Sequence, residues 1–532
     1  MSSKPTQAAA QARMPRQIPF IIANEGCERF SFYGMRNILT TFLAVAFFSN
    51  LPKEMAESEA KDIFHIFVAG VYFFPLLGGW ISDRFFGKYR TIFWVSIIYC
   101  IGHACLAFFE DQPTGFYFGL FLIALGSGGI KPLVASFMGD QFNQQNKHLA
   151  RLAFDAFYWI INFGSFFASL LMPKLLEGWG PAKWWGLSAA SVAFGLPGIL
   201  MALATLCLVA GRKRFIMVPP APPDPNSFSR VVRTALTAPG DGFLGRNLAL
   251  LGVLLALGAV GLIPFAGWTG GKDIVIALCL ALVSLLFFGG LGAWMQLDRA
   301  RGPHPDEAVD GVRSVLRILV IFALVTPFWS LFDQKASTWV FQAGLMAKPD
   351  WFSPAQMQAL NPALVMLLIP LNNVVIFPAL RRRGIEFSQL SRMGLGIALA
   401  GASWIAAGSM QLVLDAGHEV NIVWQVLPYA LLTAGEVLVS ATGLEFAYSQ
   451  APAAMKGVIM SFWSLAVTIG NLWVLLVNLT VRRPAVDEAI VQTGMSVAAF
   501  QMFFFAGFAF AAALAFRAVA KHYRMVDNYR AS

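Results

Sequence analysis

The feature that most constrains this 532-residue chain is the recurrence of long segments without an ionisable side chain. Eleven windows of at least 18 residues contain no Asp, Glu, Lys or Arg: 63–82, 91–109, 112–130, 156–173, 184–211, 247–271, 274–297, 351–380, 393–414, 457–481 and 489–516. A bilayer core about 30 Å thick is crossed by a helix of about 20 apolar residues, so each window is long enough to span one. Three more apolar stretches, at about 17–48, 313–346 and 421–449, have the length but are interrupted by charges. Together they predict fourteen spans. All are expected to be helices, because the alternation of a barrel strand is missing.

Composition agrees. The chain is 57% hydrophobic and 13% charged, whereas soluble domains carry about 25% charged residues. The fold class expected is therefore an all-α polytopic membrane protein. The formal net charge of +10 invites a nucleic-acid reading. Placement removes the need for one, since Lys and Arg gather in alternating loops, as the positive-inside rule requires of cytoplasmic ones. That bias predicts both termini in the cytoplasm and a multi-pass protein of the cell (inner or plasma) membrane. The pair Arg482 and Arg483, on an external loop, runs against it. The first sixteen residues are polar and lack the apolar core of a cleaved signal. The five cysteines are odd in number and lie in apolar stretches, which predicts neither a disulfide framework nor a metal site.

Residues 212–246 are rich in proline and basic side chains and read as a cytoplasmic linker. The two spans that follow, within 247–297, contain no charge except at their junction, unlike the six on either side. This divides the chain into 17–211 (six helices), the linker, 247–297 (an inserted helical pair), a second linker at 298–312, and 313–520 (six helices). Two six-helix bundles joined through the cytoplasm is the layout of the major facilitator superfamily.

A charged side chain at bilayer depth costs at least a few kcal/mol, so the few that occur are informative. Glu25, Glu28, Arg29 and Arg36 lie within about 100° of arc on the first helix, with Phe32 among them and Tyr33 alongside. Carboxylates clustered beside a cation can exchange charged and neutral forms, which suits a proton site; a structural ion-pair cluster is the plainer alternative. Lys131, at the end of an otherwise charge-free span, is the natural partner of these carboxylates unless it snorkels to the interface. In the second half, Arg317, Asp333 and Lys335 lie on the ninth span, near Trp329, and Glu436 and Glu445 on the twelfth. Nine residues apart, the two glutamates point to opposite faces. Glu445 shares its face with Thr442, Tyr448 and Ser449 and is assigned to a central cavity, Glu436 to a structural or gating pair. A cation from one half (Arg36) and a carboxylate from the other (Glu445) suit a zwitterion with separated termini. No G-x-S-x-G, H-E-x-x-H or G-x-x-x-x-G-K-[ST] occurs, and nothing supports catalysis or a cofactor.

The segment Glu25-Gly26-Cys27-Glu28-Arg29-Phe30-Ser31-Phe32-Tyr33-Gly34-Met35-Arg36 resembles the ExxERFxYYG signature of proton-coupled oligopeptide transporters. The resemblance continues through Gly78-Gly79-Trp80-Ile81-Ser82-Asp83-Arg84 with Gly87-Lys88, Gly126-Ser127-Gly128-Gly129-Ile130-Lys131-Pro132, Gly139-Asp140-Gln141-Phe142, Phe157 to Ser165, and Gly443 to Pro452. It covers about residues 20–520 and implies a bacterial-type member with fourteen helices. It implies proton coupling through Glu25, Glu28, Arg29 and Lys131, with His65 where animal members keep a proton-handling histidine. It implies a peptide site lined by Arg36, Tyr33, Tyr72, Asn162, Asn361, Trp329 and Glu445, beside Ser449. Asp83, Arg84, Arg317, Asp333 and Glu436 are expected to gate or brace. The implied activity is import of di- and tripeptides with protons as the coupling ion, by a monomer in membrane lipid. A same-fold carrier of nitrate or another small anion, or a non-transporting peptide sensor, is the alternative. Two departures stand out: Phe32 replaces the first signature tyrosine, and Asn373 stands where animal members carry an acid, which puts an ion pair with Arg317 in question.

Overall fold

A computed structural model describes residues 14–143, 146–180, 186–220, 224–239, 242–265, 271–384, 387–450, 455–523 and 525. The described residues are helical almost throughout. In chain order the helices are α1 (Ile18–Ala46), α2 (Lys53–Phe73), α3 (Pro75–Ile81), α4 (Lys88–Phe108), α5 (Pro113–Gly139), α6 (Lys147–Leu176) and α7 (Ala189–Gly211). Then come α8 (Phe228–Thr237), α9 (Leu244–Phe265), α10 (Gly271–Gln296), α11 (Asp306–Asp333), α12 (Thr338–Leu345), α13 (Leu360–Leu371) and α14 (Phe377–Arg382). The chain ends with α15 (Gln389–Asp415), α16 (Val426–Gln450), α17 (Lys456–Val481), α18 (Pro484–Val491) and α19 (Val497–His522).

Thirteen helical segments among the described residues are long and apolar enough to cross a bilayer. The first helix is not one of them, because its four charges depress its hydropathy, yet its 29 residues reach about 43 Å at 1.5 Å per residue. With α1 included, the fourteen spans expected from the sequence are present. Several differ in form. The second runs as α2, α3 and a π-helical turn at Ser82–Phe86. The ninth breaks after Asp333 into a short 3-10 turn and α12, and the tenth carries a π turn at Asn372–Ile376. Such turns interrupt the regular hydrogen-bond ladder and are common where helices bend at functional positions.

The chain divides into two compact units. One holds the chain up to Ala60, Gly70–Pro222 and Pro349–Leu367; the other holds Lys61–Ala69, Pro223–Lys348 and everything from Leu368 onward. The linker and the inserted pair therefore group with the second unit, and so does the middle of α2. The linker is also more structured than its prolines suggested. Within it α8 buries Val231 and Ala235 and exposes Arg230 and Arg233. His304 clamps it, with Nε2 2.9 Å from the Thr234 hydroxyl and Nδ1 3.0 Å from Asn226 Oδ1. A proline count could not reveal this helix, because its amphipathic face spans only ten residues.

Lipid supplies no hydrophobic drive between helices, so close packing has to come from small residues. In the first unit α3 meets α5 at Gly78 and Gly129, where a Cβ on Gly78 would fall 2.7 Å from the Gly129 backbone. In the second, α15 meets α16 at Gly396 and Gly435, each of whose added Cβ would lie under 3 Å from the other's carbonyl oxygen. Backbone cannot swing aside as a side chain can. Gly78→Val is therefore expected to lower the thermal unfolding midpoint by the equivalent of about 1–3 kcal/mol, whereas Gly79→Val, whose Cβ position has no neighbour within 4 Å, should leave it near wild type. Equal midpoints for the two variants would contradict this packing.

Candidate transport site

In the first unit the charged face of α1 points into protein. Glu25 and Glu28 are 1% exposed, and Arg29 and Arg36 are 6% exposed. Helical spacing places Glu25 and Arg29 one turn apart, and Arg29 Nε donates to Glu25 Oε1 at 2.6 Å. The same Nε lies 3.0 Å from Glu28 Oε2. One guanidinium thus serves two carboxylates, unequally: Glu25 receives a hydrogen bond from it, whereas Glu28 meets it as an ion pair.

Lys131 stands in the interior of α5, which continues to Gly139, so it is not a terminal residue free to snorkel. Its Nζ sits 4.0 Å from the centre of the Phe32 ring and 4.3 Å from that of Tyr72, and its charge acts on Glu28. An ammonium over two π faces gains about 0.5–2 kcal/mol from each. Phe32 removes a hydroxyl relative to the resembled signature but keeps the face that the ammonium uses. Tyr33 and Tyr72 are half-buried, as is Asn361. Asn162, 8% exposed, is held by an Nδ2 hydrogen bond to the Tyr158 carbonyl at 3.0 Å. His103 is buried with a polar contact: it stacks on Tyr99 and places Nε2 2.9 Å from Ser31 Oγ.

Asp83 and Arg84 lie on the π turn and are exposed. The ion pair described in that region is Lys88 with Asp140, at 2.6 Å. Both residues belong to the motifs quoted from the sequence, but spacing alone did not pair them.

In the second unit His65 is fully buried and hydrogen-bonded on both sides. Nδ1 is 2.7 Å from Asn471 Oδ1, and Nε2 is 3.1 Å from Ser337 Oγ. Asn471 Nδ2 in turn donates to Asp333 Oδ2 at 2.8 Å. A neutral amide therefore links the histidine to the carboxylate. Lys335 and Trp329 are buried nearby in sequence, and Trp329 meets Trp463 edge to face at 5.9 Å. Of the two glutamates on α16, Glu445 is exposed and Glu436 half-buried. The side chains of Ser449, Tyr448 and Asn373 lie outside the described ones. Arg317 lines a cleft with Tyr523.

The proton-coupling set read from the sequence is thus split, with Glu25, Glu28, Arg29 and Lys131 in one unit and His65 in the other. Asn471 was missed, and so was a second contact on the same two helices. Asp62, 1% exposed, accepts from Asn478 Nδ2 at 3.0 Å and pairs with Arg482 at 2.9 Å. Asp62 and His65 are one turn apart on α2; Asn471, Asn478 and Arg482 form a stripe along one face of α17, extending to its C-cap. That stripe was the available signal. It also accounts for the basic residue that defied the loop-charge bias, because Arg482 neutralises a buried acid.

Known proteins resemble this chain in sequence and fold. It is an all-helical, multi-pass membrane protein with a buried ionic cluster, and a family profile described as the POT family matches residues 89–493. The chain belongs to the POT family. The crystal structure of the POT family transporter PepTSo superposes with a TM-score of 0.91 at 63% identity, covering 96% of this chain and 99% of that one. An auto-inhibited POT family peptide transporter is similar at 61% identity and TM-score 0.91, over 97% and 99% of the two chains. Solute carrier family 15 member 2 of Mus musculus is 32% identical over 75% of this chain and 49% of its own. Peptide transporter 3 of Caenorhabditis elegans is 33% identical over 76% and 52%. The chain spans about half the length of these animal relatives. All four are named as transporters, and none as an enzyme.

Replacing Arg482 by alanine leaves the Asp62 carboxylate buried without its guanidinium partner. A fully buried broken pair costs about 3–5 kcal/mol; the Arg482 side chain is 30% exposed, which reduces the effect. A lowered unfolding midpoint is expected for Arg482→Ala and a change within about 0.5 kcal/mol for Arg483→Ala. A midpoint unchanged in the first variant contradicts the pairing.

Proposed function

We propose that this chain is a proton-coupled symporter that imports di- and tripeptides across the cell membrane by alternating access, as a monomer with both termini in the cytoplasm and no cofactor beyond the proton. The observation that carries the reading is the sharing of Arg29 between Glu25 and Glu28 inside an apolar bundle. Membership of the POT family supports it, as do relatives named as peptide transporters.

Two carboxylates, one guanidinium and one ammonium form a set whose net charge changes with a single proton. Glu28 takes that proton in this proposal, because its charge is the less well compensated by hydrogen bonds. Protonation removes its attraction for Arg29 and Lys131. Either cation is then free to exchange a glutamate for the carboxylate of a bound peptide. Arg36 and Lys131 recognise that carboxylate, while Glu445, the exposed acid of α16, receives the peptide amine. Tyr33, Tyr72, Asn162, Asn361, Trp329 and Ser449 read the backbone between them. Peptide side chains are left to loosely specific surfaces. Inward drive comes from the membrane potential, worth about 2.3 kcal/mol per charge per 100 mV, and from the pH gradient. His65, through Asn471, senses the charge on Asp333.

Three outcomes test this. Glu28→Gln should lose uptake driven by a proton gradient while retaining exchange of labelled for unlabelled peptide; wild-type gradient-driven uptake in that variant removes Glu28 from coupling. Glu445→Ala should weaken dialanine binding at least tenfold in calorimetry, and unchanged affinity contradicts the amine-anchor role. Unlabelled dialanine should compete with labelled peptide where nitrate does not, and the reverse order would favour the anion carrier.

A further inference from the structure

One end of the second unit holds a cleft of about 660 Å³ between α11 and α19, lined by Arg317, Val320, Ala518, Val519, His522 and Tyr523. None of the residues assigned above to proton or peptide lines it. Its lining falls into two zones. Val320, 51% exposed, with Ala518 and Val519 forms an apolar wall of the kind that hydrocarbon covers. Arg317, His522 and Tyr523 supply nitrogen and hydroxyl donors next to that wall, and no carboxylate lines the cleft.

Three acids that precede Arg317 in sequence are engaged elsewhere. Asp298, Asp306 and Asp310 pair with Arg301 at 2.9, 2.8 and 2.6 Å, and Asp298 also pairs with Arg313. Arg317 forms no described ion pair; its guanidinium lies 5.7 Å from the ring of Trp294, a half-exposed indole close to the end of α10. A tryptophan stacked with arginine at a helix end is the arrangement of the headgroup level of a bilayer. His522 Nδ1 donates to the Ala518 carbonyl at 2.9 Å, which orients the ring; Nε2 then donates to a phosphate oxygen when the ring is in its protonated, imidazolium form. Burial pushes the Tyr523 phenol up to about 12, so it remains a hydroxyl donor at physiological pH. Arg517 and Lys521, exposed on the same turns of α19, make this a basic end of the helix, the kind that faces the leaflet where anionic lipid gathers.

A permanent cation, a second basic ring and a hydroxyl beside an apolar wall match a phosphodiester attached to acyl chains. We propose that this cleft binds the headgroup of an anionic phospholipid, with its phosphate on Arg317, His522 and Tyr523 and its chains along Val320, Ala518 and Val519.

The test is native mass spectrometry of the full chain with phosphatidylglycerol and phosphatidylcholine of identical acyl chains. Phosphatidylglycerol should be retained several-fold more than phosphatidylcholine by the wild type. The double variant Arg317→Gln, His522→Gln should bring the two to parity, while the charge-reducing control Arg517→Gln, Lys521→Gln keeps the preference. Excess glycerol phosphate should not displace the lipid. Equal retention in the wild type, an equal loss in the control, or displacement by glycerol phosphate overturns the proposal, the last by showing a site for soluble phosphate. Should the double variant unfold at markedly lower temperature, Tyr523→Phe decides: it removes one hydroxyl, and it must lower phosphatidylglycerol retention.

Discussion

The proton coupling proposed above depends on the cost of holding Glu25, Glu28, Arg29 and Lys131 away from water. Removing each charge from solvent costs several kcal/mol, recovered only through close, well-oriented partners. The recovery here is uneven. Arg29 satisfies Glu25 by a 2.6 Å hydrogen bond but touches Glu28 only as an ion pair, and Lys131 is held by aromatic faces at 4.0 and 4.3 Å. A fully satisfied cluster would be an inert brace. An unevenly satisfied one can respond to the arrival of a proton or of another carboxylate, which is what the proposed coupling requires.

The second unit uses a neutral side chain to bridge two ionisable groups. Asn471 joins His65 to Asp333 without adding charge, and four residues past Asn478 on the same helix Arg482 neutralises Asp62. Along that stripe His65 of α2 meets Asn471, and Asp62 meets both Asn478 and Arg482, so the middle of α2 and α17 associate through specific polar contacts. The glycine contacts at Gly78 with Gly129 and Gly396 with Gly435 supply the close approach that lipid cannot drive.

Much of this was legible in the residues. Span number followed from charge-free length, and α1 emerged as the informative helix because its charges set it apart from every other span. Its ionic cluster followed from helical periodicity, since Glu25, Glu28 and Arg29 can meet only if they share a face. What periodicity could not supply was partnership between helices distant in sequence. Asn471 is an amide in an apolar span and carries no signal of its own, and Asp62 lies among other charges before the apolar run of α2 begins. Lys131 looked like a helix end because Pro132 follows it, yet the helix tolerates that proline and continues for seven residues beyond it. The linker helix α8 escaped notice because prolines flank it.

The central claim is that a proton bound by this buried cluster moves together with a peptide. Purified protein reconstituted in liposomes, given labelled dialanine with and without an inward acid gradient, measures that link directly. Accumulation above the external concentration only when the outside is acidic, abolished by a protonophore, is the predicted result. Accumulation indifferent to the gradient, or none in either condition while binding persists, would contradict it.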